Sequence, residues 1–202
     1  MFGELTRDEV FRIETRRLWL RWPRASDAPA IAAFASRPEV ALMTGSVPHP
    51  YPPGEAEGYV ERVRAANAAG SDLFLAVMEK HSHPTLVGLI GMEGRVPGKA
   101  LLGYMLAPEY WGRGYASEAA SAIIDAAFLL TRADAVAATV GVGNAASMRV
   151  LEKCRFAWLG ATEVDAPARG GTVAVDAFSL SRGRWRSGLI ANRHARKETC
   201  DA

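Results

Sequence analysis

The stretch Ala107–Phe128, APEYWGRGYASEAASAIIDAAF, sets a glycine on each side of an arginine and then runs straight into an apolar pattern. Ala116, Ala119, Ala120, Ile123, Ile124, Ala127 and Phe128 recur at the i, i+3, i+4 spacing of an amphipathic helix, which predicts a helix from about Tyr115 to Leu130. A helix N-terminus carries unpaired N–H groups and about half a positive charge, so anions settle there when the backbone can come close. Gly112 and Gly114 put no Cβ in the way, and Arg113 adds a mobile full charge. Pro108 stops the preceding strand, and Tyr110 and Trp111 can wall the loop. The stretch reads as a cradle for a diphosphate, set against a tight strand-to-helix turn in which glycine only relieves strain. G-x-G by itself does not separate the two.

Two other phosphate loops fail on context. A dinucleotide fingerprint needs a small third position and an acid at the end of the next strand; Ser117 stands at the first, and Asp134 precedes that strand. No Gly-Lys-Ser/Thr follows, which removes a Walker A loop.

Outward from this point, LFLAVME, LVGLIGME and KALLGYMLA read as an antiparallel meander, and AVAATVGV as a fully apolar strand beyond the helix. Strand, helix, strand here makes a right-handed crossover between parallel neighbours. ETRRLWLRW alternates from Arg17 to Trp22 as a half-buried strand, and Ser26 is placed to cap a helix carrying Ala30, Ile31, Ala33 and Phe34. SVPHPYPPGEAE is a stiff loop leading to a helix through Tyr59, Val60 and Val63. NAASMRVLEKC is a helix with Asn144 as N-cap, followed by strands near Ala157–Val164 and Thr172–Leu180. The expected fold is α+β: a mixed, mostly antiparallel central sheet with one parallel pair and flanking helices.

Composition sets the bounds. With 49% hydrophobic and 23% charged residues, 202 residues make one folded domain and exclude wholesale disorder. A net charge of +2 does not call for nucleic acid, and the arginines from Arg182 onward read as a solvated basic tail. Cys154 and Cys200 have no framework spacing, the first residues lack a signal-peptide core, and no apolar run spans a bilayer; the expected location is the cytoplasm. His81 and His83 share a turn without a third ligand nearby, so no metal is expected.

Taken with its flanks, GYMLAPEYWGRGYASEA resembles the acyl-CoA pyrophosphate loop of the GNAT superfamily of N-acetyltransferases, in the branch that acetylates N-termini of ribosomal proteins. ETRRLWLR, LVGLIGM, NAASMRVLEKCRF and DAFSLSRGRW are similar to that branch's opening strand, third strand, Asn-x-x-Ser helix and last strand. The resemblance implies an acetyltransferase domain over 10–186 followed by a basic tail over 187–202. It implies that Met105, Leu106 and Ala107 offer backbone groups to the pantetheine arm of acetyl-CoA, in a parallel pair that splays apart. Gly112, Arg113, Gly114, Tyr115 and Ala116 would hold the pyrophosphate, Asn144 would touch pantetheine, and Ser147 would lie near the sulfur. Asn144 and Ser147 are equally a capping pair.

The pattern is departed from at Leu101, where the branch often has Glu, at Arg155-Phe156 for Gly-Phe, at Leu159-Gly160 for Glu-Gly, and at Glu109 for Gln or Arg. These changes bear on the acceptor side. The implied reaction is direct acetyl transfer from acetyl-CoA to a primary amine, on a protein N-terminus or a small molecule. Ser147 is the candidate acid, Glu93 the candidate base, and His49 with its loop a wall of the acceptor cleft. The competing expectation is an acyl-CoA-binding regulatory module with a degenerate acceptor site. A homodimer is compatible with either; a membrane or nucleic-acid partner is not expected.

Overall fold

Three consecutive apolar strands build the centre of the sheet: β3 (Asp72–Glu79), β4 (Thr85–Val96) and β5 (Lys99–Leu106), paired as an antiparallel meander. A computed structural model describes residues 11–198. On the leading side lie β1 (Arg12–Glu14) and β2 (Leu18–Arg21). On the trailing side lie β6 (Ala135–Gly141), β7 (Ala157–Ala166) and β8 (Gly171–Ser181). The order is β1-β2-β3-β4-β5-β6-β8-β7, and only β5 and β6 run parallel. The helices are α1 (Ala28–Ala35), α2 (Pro38–Ala41), α3 (Glu55–Ala69), α4 (Tyr115–Leu130), α5 (Ala145–Lys153) and α6 (Arg182–Glu198).

Alternation along the strands gives the sheet two apolar faces. One, with Leu73, Leu75, Ile90, Met92, Leu102 and Leu106, packs on Ile123, Ala127 and Phe128 of α4 and Leu151 of α5. The other, with Ala76, Met78 and Leu89, packs on Ile31 and Phe34 of α1 and Val60 of α3. Among the described residues, no helix is long and apolar enough to cross a membrane.

Three local expectations change. Ser26 does not cap α1; it lies in a 3-10 turn, where the Asp27 carboxylate accepts from the Arg24 amide at 2.7 Å and from both Arg21 Nη atoms at 2.7 and 2.8 Å. Strand β1 and helix α2 were not expected, being three and four residues long and too short to show a period. The basic run after β8 opens in a helix. Helix α6 continues directly from β8 and crosses the boundary expected at 187. Trp185 is buried with its ring centroid 5.1 Å from that of Phe128, and burial of such a side chain is worth about 2–3 kcal/mol. Arg182 donates to the carbonyls of Phe128, Thr131 (2.8 Å) and Ala133 (2.9 Å), closing the C-terminal end of α4. Cys200 and the domain start expected at position 10 lie outside the described residues.

Candidate active site

Strands β5 and β6 pair at Lys99–Ala135, Ala100–Val136 and Leu101–Ala137, and no further. Beyond that point β5 runs on to Leu106 and β6 to Gly141 with no ladder between them, so a wedge opens in the middle of the sheet. Which groups face the wedge follows from one bond. The Ala107 amide donates to the Val87 carbonyl of β4 at 2.9 Å. Main-chain groups alternate sides along a strand, so Met105 also faces β4 while Tyr104 and Leu106 face the gap. Of Met105, Leu106 and Ala107, only Leu106 thus turns its main chain to the wedge, and its carbonyl accepts from Trp111 Nε1 at 2.8 Å. Tyr104 is the residue that the sequence did not single out; its parity depends on a distant register.

That register runs unbroken from Gly88–Leu106 to Glu93–Leu101 and shifts between Glu93 and Val96, while β4 carries a bulge on its other edge. Val87 is the extra residue where β4 passes Val77 and Met78. At Gly88 a Cβ would lie 2.4 Å from the Met105 carbonyl oxygen and 2.8 Å from Leu106 Cα, so only glycine admits β5 this close.

The loop between β5 and α4 adopts left-handed backbone at both glycines, φ 74° at Gly112 and 78° at Gly114. No chain atom lies within 4 Å of a Cβ built on Gly112, and at Gly114 the nearest is Arg17 Nη2 at 3.5 Å. The turn therefore needs glycine for its backbone angles and leaves open space above. Gly114 is the N-cap of α4 and supplies no side chain to it. Among the described residues, no acceptor takes the N–H of Gly112, Arg113, Gly114, Tyr115, Ala116 or Ser117; the first helical bond runs from the Glu118 amide to the Gly114 carbonyl at 3.1 Å. Six consecutive unengaged donors at a helix start are the arrangement that takes an anion. The Arg113 guanidinium stacks 5.2 Å from the Tyr110 ring centroid. Tyr115 is buried, and its hydroxyl donates to Glu79. That bond holds the Glu79 carboxyl below the usual range and pushes the Tyr115 hydroxyl up.

Across the wedge, Asn144 caps α5 by accepting the Ser147 amide at 3.0 Å, which leaves its Nδ2 amide hydrogens for another partner. The Tyr104 hydroxyl makes a long 3.4 Å contact with the Ser147 carbonyl, joining β5 to the start of α5. Burial pushes the Tyr104 hydroxyl up to about 12. Burial likewise pushes the Cys154 thiol up to about 11, so it is not a thiolate nucleophile at neutral pH.

Glu93 stands apart from these groups. It pairs with Leu101, level with the end of the β5–β6 ladder. Met105 is four residues farther on, about 13 Å along the strand. Glu93, Gly103 and Met105 share the α1/α3 face of the sheet. Gly91 and Gly103 are opposite each other there; the Phe74 ring covers Gly91, whereas nothing lies within 4 Å of a Cβ on Gly103. The floor at Gly103 is open and exposed in the middle of a central strand. Tyr59 overlooks this face from α3, its hydroxyl pushed upward by burial first and by Tyr51 and Glu93 after that. His49 is exposed in its loop. His81 accompanies Glu79 at 3.1 Å, and no group of three metal-ligating side chains occurs among the described residues.

The geometry is thus a sheet with a wedge, a helix mouth of unengaged N–H groups on one face and an open floor on the other. The chain matches a family model described as acetyltransferase (GNAT) domain over residues 17–157. It is 30% identical over 146 residues to the uncharacterised N-acetyltransferase YoaA of Bacillus subtilis, covering 71% of this chain and 81% of that one. It is 27% identical over 168 residues to the uncharacterised N-acetyltransferase p20 of Bacillus licheniformis, covering 82% and 93%. Its fold matches that of a ribosomal L7/L12 alpha-N-protein acetyltransferase in complex with coenzyme A, with a TM-score of 0.72 at 18% identity over 84% of this chain and 97% of the other. By motif, fold and family model, this chain belongs to the GNAT acetyltransferase family.

Proposed function

We propose that the protein transfers an acetyl group from acetyl-CoA to a primary amine by direct attack of the amine on the thioester. The observation that carries this reading is the run of unengaged N–H groups from Gly112 to Ser117 beside the β5–β6 wedge. In it, Gly112, Arg113, Gly114, Tyr115 and Ala116 hold the diphosphate, with Arg113 free to swing onto it. Leu106 and Tyr104 present main-chain groups to the pantetheine arm; Met105 and Ala107 shape the strand that carries them, and Asn144 Nδ2 donates from the other bank. Acetyl-CoA supplies the activated acyl group. The α-N-protein acetyltransferase of the same fold, in complex with coenzyme A, supports the choice of donor.

The amine enters over the open floor at Gly103. It must be neutral to attack, and an α-amine, with a reference pKa of about 7.7–8.0, needs far less help than a lysine at about 10.4. A protein N-terminus is therefore the favoured acceptor. Glu93 takes the amine proton through water from the acceptor face. A wedge-facing N–H, from Tyr104 or Leu106, stabilises the negative charge that develops on the acyl oxygen. Ser147 donates a proton to the departing sulfur; its side chain lies beside the Tyr104 hydroxyl. A cytoplasmic site of action fits the free thiol of Cys154.

The test is an acceptor screen by mass spectrometry with acetyl-CoA, using peptides with free N-termini and small amines. A mass gain of one acetyl group with release of free thiol supports the reading. Tight acetyl-CoA binding without turnover on any acceptor would replace it with the regulatory module.

A further inference from the structure

Resting on the acetyl-CoA reading, one feature of the helix mouth needs explanation: it contains a carboxylate. Glu118 lies in the first turn of α4, next to amides assigned to a diphosphate. An acid there favours the helix itself but repels a second anion. Its charge is countered from far away in the chain. Glu118 Oε1 accepts from the Thr15 hydroxyl at 2.6 Å and the Arg17 amide at 2.8 Å, and Oε2 accepts from Arg17 Nε at 2.7 Å. Burial alone would push this carboxyl up; the bonds from Thr15 and Arg17 outweigh it and hold it below the usual range.

The same guanidinium continues into the loop. Arg17 Nη1 donates to the Arg113 carbonyl at 2.9 Å, its carbon lies 4.5 Å from the Tyr115 ring centroid, and Nη2 faces Gly114. One side chain thus touches positions 113, 114, 115 and 118. Its own base is braced, because the Thr15 hydroxyl also accepts the Leu18 amide at 2.9 Å and the Thr15 amide donates to the Leu18 carbonyl at 3.0 Å. A carbonyl held on the inner side of the turn leaves the flanking N–H groups pointing out.

We propose that Arg17 is a positioning residue of the acetyl-CoA site: it neutralises Glu118 and pins the Arg113 carbonyl, so that the Gly112–Gly114 turn presents its amides to the diphosphate. Arg17 acts through Glu118 and the turn, not on the acyl group, and this separates binding from chemistry.

The experiment measures acetyl-CoA affinity by calorimetry and steady-state kinetics on Arg17→Met, Arg17→Lys and the double variant Arg17→Met/Glu118→Gln. Charge-assisted hydrogen bonds of this kind predict that Arg17→Met raises Kd and the KM for acetyl-CoA about tenfold with kcat little changed. Lysine keeps the charge without the two-pronged geometry and recovers part of the loss. With the carboxylate also removed, the loss falls to about threefold, the remainder being the unpinned carbonyl. An Arg17→Met protein that binds acetyl-CoA as the wild type does overturns the proposal. So does a double variant as weak as Arg17→Met, since Arg17 would then contact the diphosphate itself. Amide NMR relaxation of Gly112 and Gly114 without ligand gives a readout independent of acetyl-CoA: Arg17→Met must increase their motion. Unchanged relaxation overturns the positioning role, whereas a wild-type protein that fails to bind acetyl-CoA sinks the donor reading instead.

Discussion

The donor and acceptor sides of the proposed site are built from different materials. On the donor side, recognition lies in the main chain: glycines with φ 74° and 78°, a helix start and strand amides. On the proposed acceptor side it would lie in side chains spread over α3, β4 and a proline-rich loop: Tyr51, Tyr59, Glu93 and His49. A main-chain site tolerates varied side chains as long as its backbone path is kept. A side-chain site changes its substrate with each substitution. The donor bank is therefore where the chain should be brittle toward glycine replacement, and the acceptor bank where it should be adjustable.

The largest expected break in this contrast is Gly114→Glu. Left-handed backbone strains any side chain, and a carboxylate beside the diphosphate repels it, so acetyl-CoA affinity should fall by more than about a hundredfold in calorimetry. An affinity within a few-fold of wild type would mean that the anion sits elsewhere. Next is Gly88→Ala, where the added methyl meets the Met105 carbonyl oxygen at 2.4 Å. Overpacking against backbone should lower unfolding free energy by about 2 kcal/mol in urea titration and displace the wedge-facing groups, raising the KM for acetyl-CoA. Ser147→Ala sharpens the comparison, because it should reduce kcat about tenfold while the KM for acetyl-CoA stays within about twofold. An unchanged kcat would leave Ser147 as a capping residue alone.

The smallest effect tests the clamp by pH. Glu118 has a folded carboxyl below its unfolded value of about 4.3, so its contribution is present above that pH and fades as the pH falls through the folded value. Wild type and Glu118→Gln should differ by about 1 kcal/mol at pH 7 and converge in thermal melts near pH 3. A gap that persists in acid would show that the carboxylate charge is not what the clamp engages.

The same contrast governs what could be read from sequence. Helix α4 has the bounds Tyr115–Leu130 that its periodicity predicts, since Ala119, Ala120, Ile123, Ile124, Ala127 and Phe128 are buried against one sheet face. The glycine turn and the Asn144 cap are local devices and were legible for the same reason. The side of β5 that Met105 to Ala107 present was not legible, because it is decided by the pairing register with β4, which shifts between Glu93 and Val96. Arg17 and Glu118 are separated by 101 positions, and neither carries a local signal of the other. The basic run after β8 shows its charge density in the sequence but not the contacts that Arg182 and Trp185 make at the end of α4 and on it. Nothing in the local pattern distinguishes a solvated arginine from one closing a helix end.

Because the ladder between β5 and β6 stops after three residue pairs, the two halves of the sheet are joined by a short seam. A linear molecule lodged in the gap would act as a surrogate strand, bonding to both halves and making them one. On the proposed function the acyl donor is thus also a keystone: the loaded protein should melt later and more cooperatively than the empty one, by the mass-action margin its concentration allows.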